Sequence, residues 1–213
     1  MFELKPIPQD KKHNWKVRIN GEEQSVALIE ISSQYGTLTY GLRPEGYDGW
    51  AFREQGGGGS VTVPYTRTPD GMLLVGLLPE KRDNMGADPV LCVMGGFIKP
   101  GETHDQAQIR EAADEGGIDA AASKALPGKP SNSNRAFFVA DAAADEGVHA
   151  YGLFIPFSWL AVDGEHLKLK DAALLPAFKK ASDLCFFPWK DAIGQSPDAL
   201  ALAAIAQLLA AAL

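Results

Sequence analysis

The segment GFIKPGETHDQAQIREAADEGGI, residues 96–118, contains the most informative pattern of the chain. An apolar run at residues 89–96, PVLCVMGG, precedes it and is typical of a strand that ends in glycines. Residues 103–116 are predicted to form a helix. Small or apolar residues recur along it at helical spacing and predict a stripe that packs closely on a sheet. They are Ile109, Ala112, Ala113 and Gly116.

A second face of the same predicted helix is acidic. Glu111, Asp114 and Glu115 fall at i, i+3 and i+4, so three carboxylates lie within about one turn. Exposed like charges at this spacing cost about 0.2–0.5 kcal/mol per pair, and the dipole near a helix C-terminus also disfavours them. Because oxygen ligands on one face are what Mg²⁺ binds, a divalent cation would remove the conflict.

Three further residues of the segment are candidates for the same site. The backbone carbonyl of Gly96 could face the cation, and a glycine there allows a close approach to the main chain. Glu102 could accept hydrogen bonds from Arg110, which would in turn orient Glu111.

With these residues in view, the segment resembles the Nudix box, G-x5-E-x7-R-E-U-x-E-E-x-G-U, where U is a bulky aliphatic residue. Seven positions of this chain match it, namely Gly96, Glu102, Arg110, Glu111, Glu115, Gly117 and Ile118. Two positions depart from it. Asp114 replaces the usual Glu and has a shorter reach, and Ala112 stands at the first aliphatic position.

The resemblance implies an α/β/α sandwich with a mixed sheet, preceded here by a small N-terminal β-rich segment. It implies that Glu111 and Glu115 are the main metal ligands, assisted by Asp114 and the Gly96 carbonyl, with Mg²⁺ or Mn²⁺ as the cation. The implied activity is hydrolysis of a phosphoanhydride bond in a nucleoside diphosphate linked to another moiety, which releases a nucleoside monophosphate.

Over its wider length the chain resembles ADP-ribose and nucleotide-sugar pyrophosphatases. This similarity rests on the β-rich N-terminal part, on Arg82 ahead of the box, and on a C-terminal strand, short helix and final helix. It implies a segment 1–55 that forms a homodimer and a catalytic domain 56–213. Trp15, Trp50 and Phe52 could stack on a base, although such aromatics more often belong to a core or interface.

The general base is left open between two sources. A loop after the box offers Glu146, Asp145 and Asp141, and Glu111 of the box is the competing candidate. Arg110 and Glu102 complete the set of residues expected to act in catalysis.

The remainder of the chain predicts strands and helices without regular βαβ alternation, which favours a mixed sheet. Strands are expected at 15–19, 25–31, 37–42, 60–66, 72–78, 135–141, 151–157 and 184–187. Helices are expected at 172–181 and 197–213, the last with Ser196 as its N-cap and Pro197 in its first turn. Residues 118–135 and 141–149 are expected to be loops.

Composition restricts the function classes. The chain has 213 residues, a net charge of -7 and a pI of about 5.1, which disfavours a general nucleic-acid binder. Cys92 and Cys185 are expected to be buried thiols.

The first fifteen residues contain no apolar core of a signal peptide, and the apolar run 199–213 would span only about 22 Å as a helix. A cytoplasmic location without membrane contact is therefore the default expectation.

Other functions fit the same pattern. Dinucleoside polyphosphates or nucleoside triphosphates are alternative substrates within the enzyme class. A non-catalytic nucleotide sensor on the same fold is the alternative outside it, although the complete acidic set argues against a sensor.

Overall fold

The computed structural model describes residues 2–5, 15–19, 21–26, 28–33, 36–42, 48–54, 58–82, 86–126, 136–137, 147–176 and 183–212. Its strands are β1 Phe2–Lys5, β2 Trp15–Ile19, β3 Glu22–Val26, β4 Leu28–Ser33, β5 Gly36–Leu42, β6 Asp48–Glu54, β7 Gly58–Arg67, β8 Leu73–Glu80, β9 Val90–Cys92, β10 Met94–Phe97, β11 Lys124–Ala125, β12 Ala136–Phe137, β13 Gly147–Phe154, β14 Leu160–Asp163, β15 His166–Leu169 and β16 Cys185–Pro188. Its α-helices are α1 His104–Gly116, α2 Trp189–Gln195 and α3 Ala199–Ala212.

The large sheet is mixed. Its strands run in the order β11-β13-β7-β8-β16-β15-β14, while β10 pairs with β7, β12 with β13 and β9 with β8. Strands β13 and β7 are parallel, and the neighbouring pairs β7–β8, β8–β16 and β10–β7 are antiparallel. The mixed sheet predicted from the irregular alternation of elements is therefore confirmed.

Alternate residues of the central strands face opposite layers. On β8, Leu74 and Leu78 pack in one core with Ala112 of α1, whereas Val75 and Leu77 pack in a second core with the C-terminal helices. The buried residues that α3 contributes to the second core are Ala201, Ala204, Ile205 and Leu208. Since side chains alternate along a strand, this arrangement places α1 on one face of the sheet and α2 with α3 on the other. The predicted α/β/α sandwich is confirmed.

The N-terminal strands form sheets of their own. Strands β1, β4, β5 and β6 make an antiparallel sheet, and β2 pairs with β3 as a hairpin around Gly21. The predicted β-rich N-terminal segment is thus present. The side chains of Trp15, Trp50 and Phe52 lie outside the described part of the structure, and the domain boundary at 55/56 stays a prediction.

Several predicted elements require correction. Residues 171–173 form a single 3-10 turn, and residues 174–176 are not α-helical. The helix predicted at 172–181 is therefore wrong for its described residues, 172–176. Gly147, Val148 and His149 open strand β13 rather than extend a loop. The hairpin of β14 and β15 was not predicted, because its exposed residues lack a strong alternating pattern.

The C-terminal helix begins later than predicted. Helix α3 starts at Ala199, and the Asp198 carboxylate accepts a hydrogen bond from the Leu200 N–H at 2.9 Å. Ser196 instead donates its hydroxyl to the Leu91 carbonyl at 2.7 Å, which ties this end of the chain to β9. The N-cap function thus belongs to Asp198 and not to Ser196.

Cys92 and Cys185 are free and buried, as predicted. In the described part of the chain, no helix is both long enough and apolar enough to cross a membrane.

The parallel pairing of β7 with β13 depends on a close approach of two backbones. Gly58 has a φ of +121°, and a Cβ at this position would overlap the backbone of Gly147, whose carbonyl carbon would lie at 2.7 Å. Gly71, in the turn between β7 and β8, also has positive φ, at +91°, but a Cβ there would meet no atom within 4 Å. A side chain at Gly71 would therefore meet only the strain of a positive φ, whereas a side chain at Gly58 would also collide with the neighbouring strand.

We therefore expect Gly58→Ala to destabilise the protein far more than Gly71→Ala. The Gly71 variant carries only the strain of a left-handed residue, about 1–2 kcal/mol, whereas the Gly58 variant must also push apart a pair of hydrogen-bonded strands, at a cost of about 4 kcal/mol or more. Urea unfolding of both variants measures the difference. Equal losses would contradict the close approach.

Candidate active site

Helix α1 is delimited at both ends by its own sequence. At the N-terminus, the Thr103 hydroxyl accepts from the Gln106 N–H while the Gln106 side chain accepts from the Thr103 N–H, forming a capping box. At the C-terminus, Gly117 takes the left-handed conformation with φ +65°. The helix therefore begins and ends at residues of the segment itself.

The helix packs on β10 through residues with little or no side chain. Ala112 is fully buried, and a Cβ on Gly116 would collide with the Met94 side chain. Ile109, which was predicted to belong to this stripe, is 38% exposed. The close contact thus depends on Ala112 and Gly116, with Met94 filling the space that a larger aliphatic residue would take.

Two carboxylates of α1 meet consecutive glycines of β10. Glu115 Oε2 accepts a hydrogen bond from the Gly95 N–H at 2.8 Å. A Cβ on Gly96 would collide with the carboxylate of Glu111, whose Cδ would lie at 2.7 Å. Glu111 and Glu115 therefore converge on the same short strand.

Arg110 connects Glu111 to the loop before the helix. Its Nε and Nη2 donate to the two carboxylate oxygens of Glu102, both at 2.8 Å, and its Nη1 forms an ion pair with Glu111. Nη2 also donates to the Phe97 carbonyl at 3.1 Å. The predicted contact chain from Glu102 through Arg110 to Glu111 is present in the structure.

This ion-pair network shifts two pKa values. The hydrogen bonds from Arg110 lower the pKa of Glu102 to about 2, and an additional bond from the Lys99 N–H acts in the same direction. The partnership with Glu102 raises the pKa of Arg110. Both groups are therefore charged throughout the physiological range, and Arg110 is held rigidly beside Glu111.

Glu115 is in the opposite situation. Burial raises its pKa to about 7, and the nearby charges of Glu80 and Glu111 act in the same direction, whereas the Gly95 N–H and Arg82 lower it. A carboxylate in this environment gains from any added positive charge. The groups around Glu115 thus do not fully compensate the negative charge of its carboxylate.

The remaining predicted residues lie apart from this convergence or outside the described structure. Asp114 is exposed on α1. Glu146, together with Asp145 and Asp141, lies outside the described residues. The structure brings together Gly96, Glu102, Arg110, Glu111 and Glu115.

Two charged residues near Glu115 were not assigned to the site from the sequence. Glu80 and Arg82 form an ion pair of 2.6 Å at the end of β8, and burial raises the pKa of Glu80. Strand alternation could have indicated Glu80, because it shares its face of β8 with Leu74 and Leu78, which pack on the α1 side.

The carboxylate oxygens suit a hard divalent cation, although they do not make a complete coordination shell. Among the described residues, no group of three His, Cys, Asp or Glu side chains is arranged to hold a metal ion. Two carboxylates nevertheless share a partly buried place, and the Glu111 carboxylate takes the space that a side chain at Gly96 would fill. A partial carboxylate set completed by water and substrate oxygens is typical of Mg²⁺ sites.

Comparisons with known proteins add structural similarity. No protein-family model matches the chain, and no curated protein does. Among solved structures, an Ap4A hydrolase of C. elegans is 16% identical, with a TM-score of 0.46, over 74% of this chain and 98% of that one. The NUDIX domain of Shewanella oneidensis NrtR, complexed with ADP ribose, is 16% identical with a TM-score of 0.47, over 73% and 88%.

A third similar structure is a mutT/nudix family protein from Listeria innocua, 19% identical with a TM-score of 0.44, over 74% of this chain and 94% of that one. These are structures that this chain is similar to.

The Glu102–Arg110 pair predicts a specific pH dependence of stability. Since the pKa of folded Glu102 is about 2, below the ordinary value of 4.5, the pair stabilises the fold fully above pH 4.5 and loses this contribution as the pH falls toward 2. We expect Glu102→Gln to lower the free energy of unfolding by about 1–2 kcal/mol at pH 7. The difference from the unmodified protein should shrink below pH 4.5.

Urea unfolding between pH 7 and pH 2.5 measures this difference, and Glu165→Gln, at an exposed turn, serves as the control for loss of one carboxylate. A difference that stays constant down to pH 2.5 would show that Glu102 ionisation is not coupled to folding.

Proposed function

We propose that this chain is a Mg²⁺-dependent Nudix hydrolase that cleaves a phosphoanhydride bond in a nucleoside diphosphate linked to another moiety. The observation that carries the proposal is the convergence of Glu111 and Glu115 on Gly95 and Gly96 of β10. Gly96, Glu111 and Glu115 occupy box positions from which the resemblance predicts cation binding.

The cation would be held by Glu111 and Glu115, with the Gly96 carbonyl as a third oxygen and Asp114 as an outer partner. The half-buried Glu115 supports this assignment, because burial and the nearby Glu80 and Glu111 raise its pKa to about 7, and a bound cation would favour its charged form. When bound, Mg²⁺ supplies neutralisation of the pyrophosphate and a lower pKa for a bound water.

The protein residues supply orientation and charge. Arg110, fixed by both oxygens of Glu102, holds Oε1 of Glu111 and so orients this carboxylate. Because phosphoryl transfer asks little covalent work of the protein, such positioning accounts for much of the expected catalysis. The general base is Glu111 or one of the acids Glu146, Asp145 and Asp141, which follow the box in the sequence.

We further propose a substrate class and a homodimer. The antiparallel N-terminal sheet of β1, β4, β5 and β6 precedes the catalytic part, as it does in the pyrophosphatases that the chain resembles. This supports a nucleotide-sugar or ADP-ribose-like substrate and a homodimer formed through residues 1–55. The negative net charge is compatible with a phosphorylated substrate because the cation supplies positive charge locally.

A substrate panel tests the activity directly. With Mg²⁺ present, we expect release of a nucleoside monophosphate from at least one nucleotide-sugar or ADP-ribose-like compound. We expect Glu115→Gln to reduce kcat/KM by about 100-fold or more, because the cation loses a ligand. Glu165→Gln, which removes an exposed carboxylate, should retain full activity.

The other outcomes of this panel distinguish the alternatives. Turnover only of dinucleoside polyphosphates or nucleoside triphosphates would replace the substrate class and keep the site. Nucleotide binding that is unaffected by a chelator, without turnover of any compound, would contradict the enzyme and favour a sensor.

Gly96→Ala tests the geometry of the site separately from the fold. The added Cβ meets the end of the flexible Glu111 side chain, which can turn away at little cost in stability. We expect cation binding, followed by Mn²⁺ titration, to weaken by about tenfold, while the midpoint of thermal unfolding changes little.

Gly194→Ala in α2, where a Cβ meets nothing within 4 Å, is the matched control. If Gly96→Ala binds Mn²⁺ as tightly as this control, Glu111 does not need its place beside Gly96.

A further inference from the structure

A buried amide lies between α1 and the sheet, one turn before the acidic residues. Gln108 is 3% exposed, and its Oε1 accepts a hydrogen bond from the hydroxyl of Thr62 at 3.3 Å. Its Nε2 donates to the Ala120 carbonyl at 3.2 Å. Thr62 itself is 1% exposed on β7. The side chain thus joins the helix both to the central strand and to the segment that follows the helix.

Such an amide restricts the helix more than an apolar side chain would. An aliphatic residue at this place could pack in several rotations of the helix, because apolar contacts are not directional. A buried amide that loses a partner is left with an unsatisfied polar group, so one orientation is strongly favoured. Gln108 therefore constrains the rotation of α1 about its own axis.

The position of Gln108 connects this constraint to the proposed cation site. Thr62 pairs with Met94 on β10, and the residue after Met94, Gly95, donates its N–H to Glu115. Gln108 and Glu115 are seven residues apart, about two helical turns, and so lie on nearly the same side of α1. The helix is thereby fixed at two points on adjacent strands.

A change in either contact would move the two carboxylates relative to β10. Glu111 lies between the two fixed points and meets Gly96 without room for even one additional carbon atom. A small rotation of α1 would therefore separate Glu111 from Gly96 or Glu115 from Gly95.

Given the proposed function, on which this inference rests, we infer that Gln108 is a positioning residue of the cation site. Its amide, held by Thr62 and Ala120, sets the rotation of α1 and so the convergence of Glu111 and Glu115. It does not touch the cation or the substrate.

The test compares cation affinity with stability in isosteric variants. Gln108→Met keeps the volume and removes both hydrogen bonds, Thr62→Val removes one donor, and Thr62→Ser retains a hydroxyl. Leu208→Ala destabilises the core on the opposite face of the sheet and controls for stability alone. The measurement is Mn²⁺ affinity by titration, well below the lowest unfolding midpoint of the set.

We expect Gln108→Met and Thr62→Val to weaken Mn²⁺ binding by about tenfold, the effect of losing a residue that orients a ligand. Thr62→Ser and Leu208→Ala should bind as the unmodified protein does. The double variant Gln108→Met with Thr62→Val should bind Mn²⁺ no more weakly than Gln108→Met alone, because both changes remove the same contact. In turnover, the Mn²⁺ concentration for half-maximal rate should rise while KM for the nucleotide stays constant.

Equal affinity in Gln108→Met, Thr62→Val and the unmodified protein would overturn this inference and leave the proposed function intact. So would a loss of affinity in Leu208→Ala that matches the loss in Gln108→Met at equal destabilisation. If the unmodified protein itself binds no Mn²⁺, the proposed function fails and this inference fails with it. Should Gln108→Met not fold, the comparison of Thr62→Val with Thr62→Ser decides the matter.

Discussion

Helix α1 lies close against strand β10 because the two elements meet through residues with almost no side chain. Gly96, Ala112 and Gly116 form this contact, and added carbon atoms at the two glycines would collide with Glu111 and Met94. Close packing brings Glu111 and Glu115 to the strand rather than to open solvent. The remainder of the candidate site depends on this approach, since Arg110 and Glu102 act through Glu111.

The same approach creates an electrostatic conflict. Burial raises the pKa of Glu115 to about 7, and the nearby carboxylates of Glu80 and Glu111 act in the same direction. Arg110 compensates Glu111, but it is also bound to both oxygens of Glu102. A cation between Glu111 and Glu115 would remove the remaining repulsion, in agreement with the unfavourable charge pattern of the helix sequence.

The box residues could be predicted from the sequence because their spacing is regular and local. Helical periodicity alone places Glu111 and Glu115 on one face, and the contact from Glu102 to Arg110 spans only the loop and two turns. Gln108 could not be assigned in the same way, because its partners Thr62 and Ala120 depend on which strand the helix crosses. Glu80 lies far from the box along the chain and reaches Glu115 only through the order of the strands.

The failed predictions have similar causes. Ile109 has the spacing of the small-residue stripe in the sequence, yet its side chain is exposed. The smaller residues Ala112 and Gly116 give the closer contact with β10. Ser196 resembles an N-cap, but its hydroxyl binds the Leu91 carbonyl, and Asp198 takes the capping position. In both instances a tertiary contact overrode a local preference.

An anomalous-difference map of crystals soaked with Mn²⁺ shows most directly where a cation binds. We expect a peak between the carboxylates of Glu111 and Glu115, beside the carbonyl of Gly96. A map in which Mn²⁺ binds elsewhere, while Glu115 keeps its bond to Gly95 and Glu111 its pairing with Arg110, would contradict it.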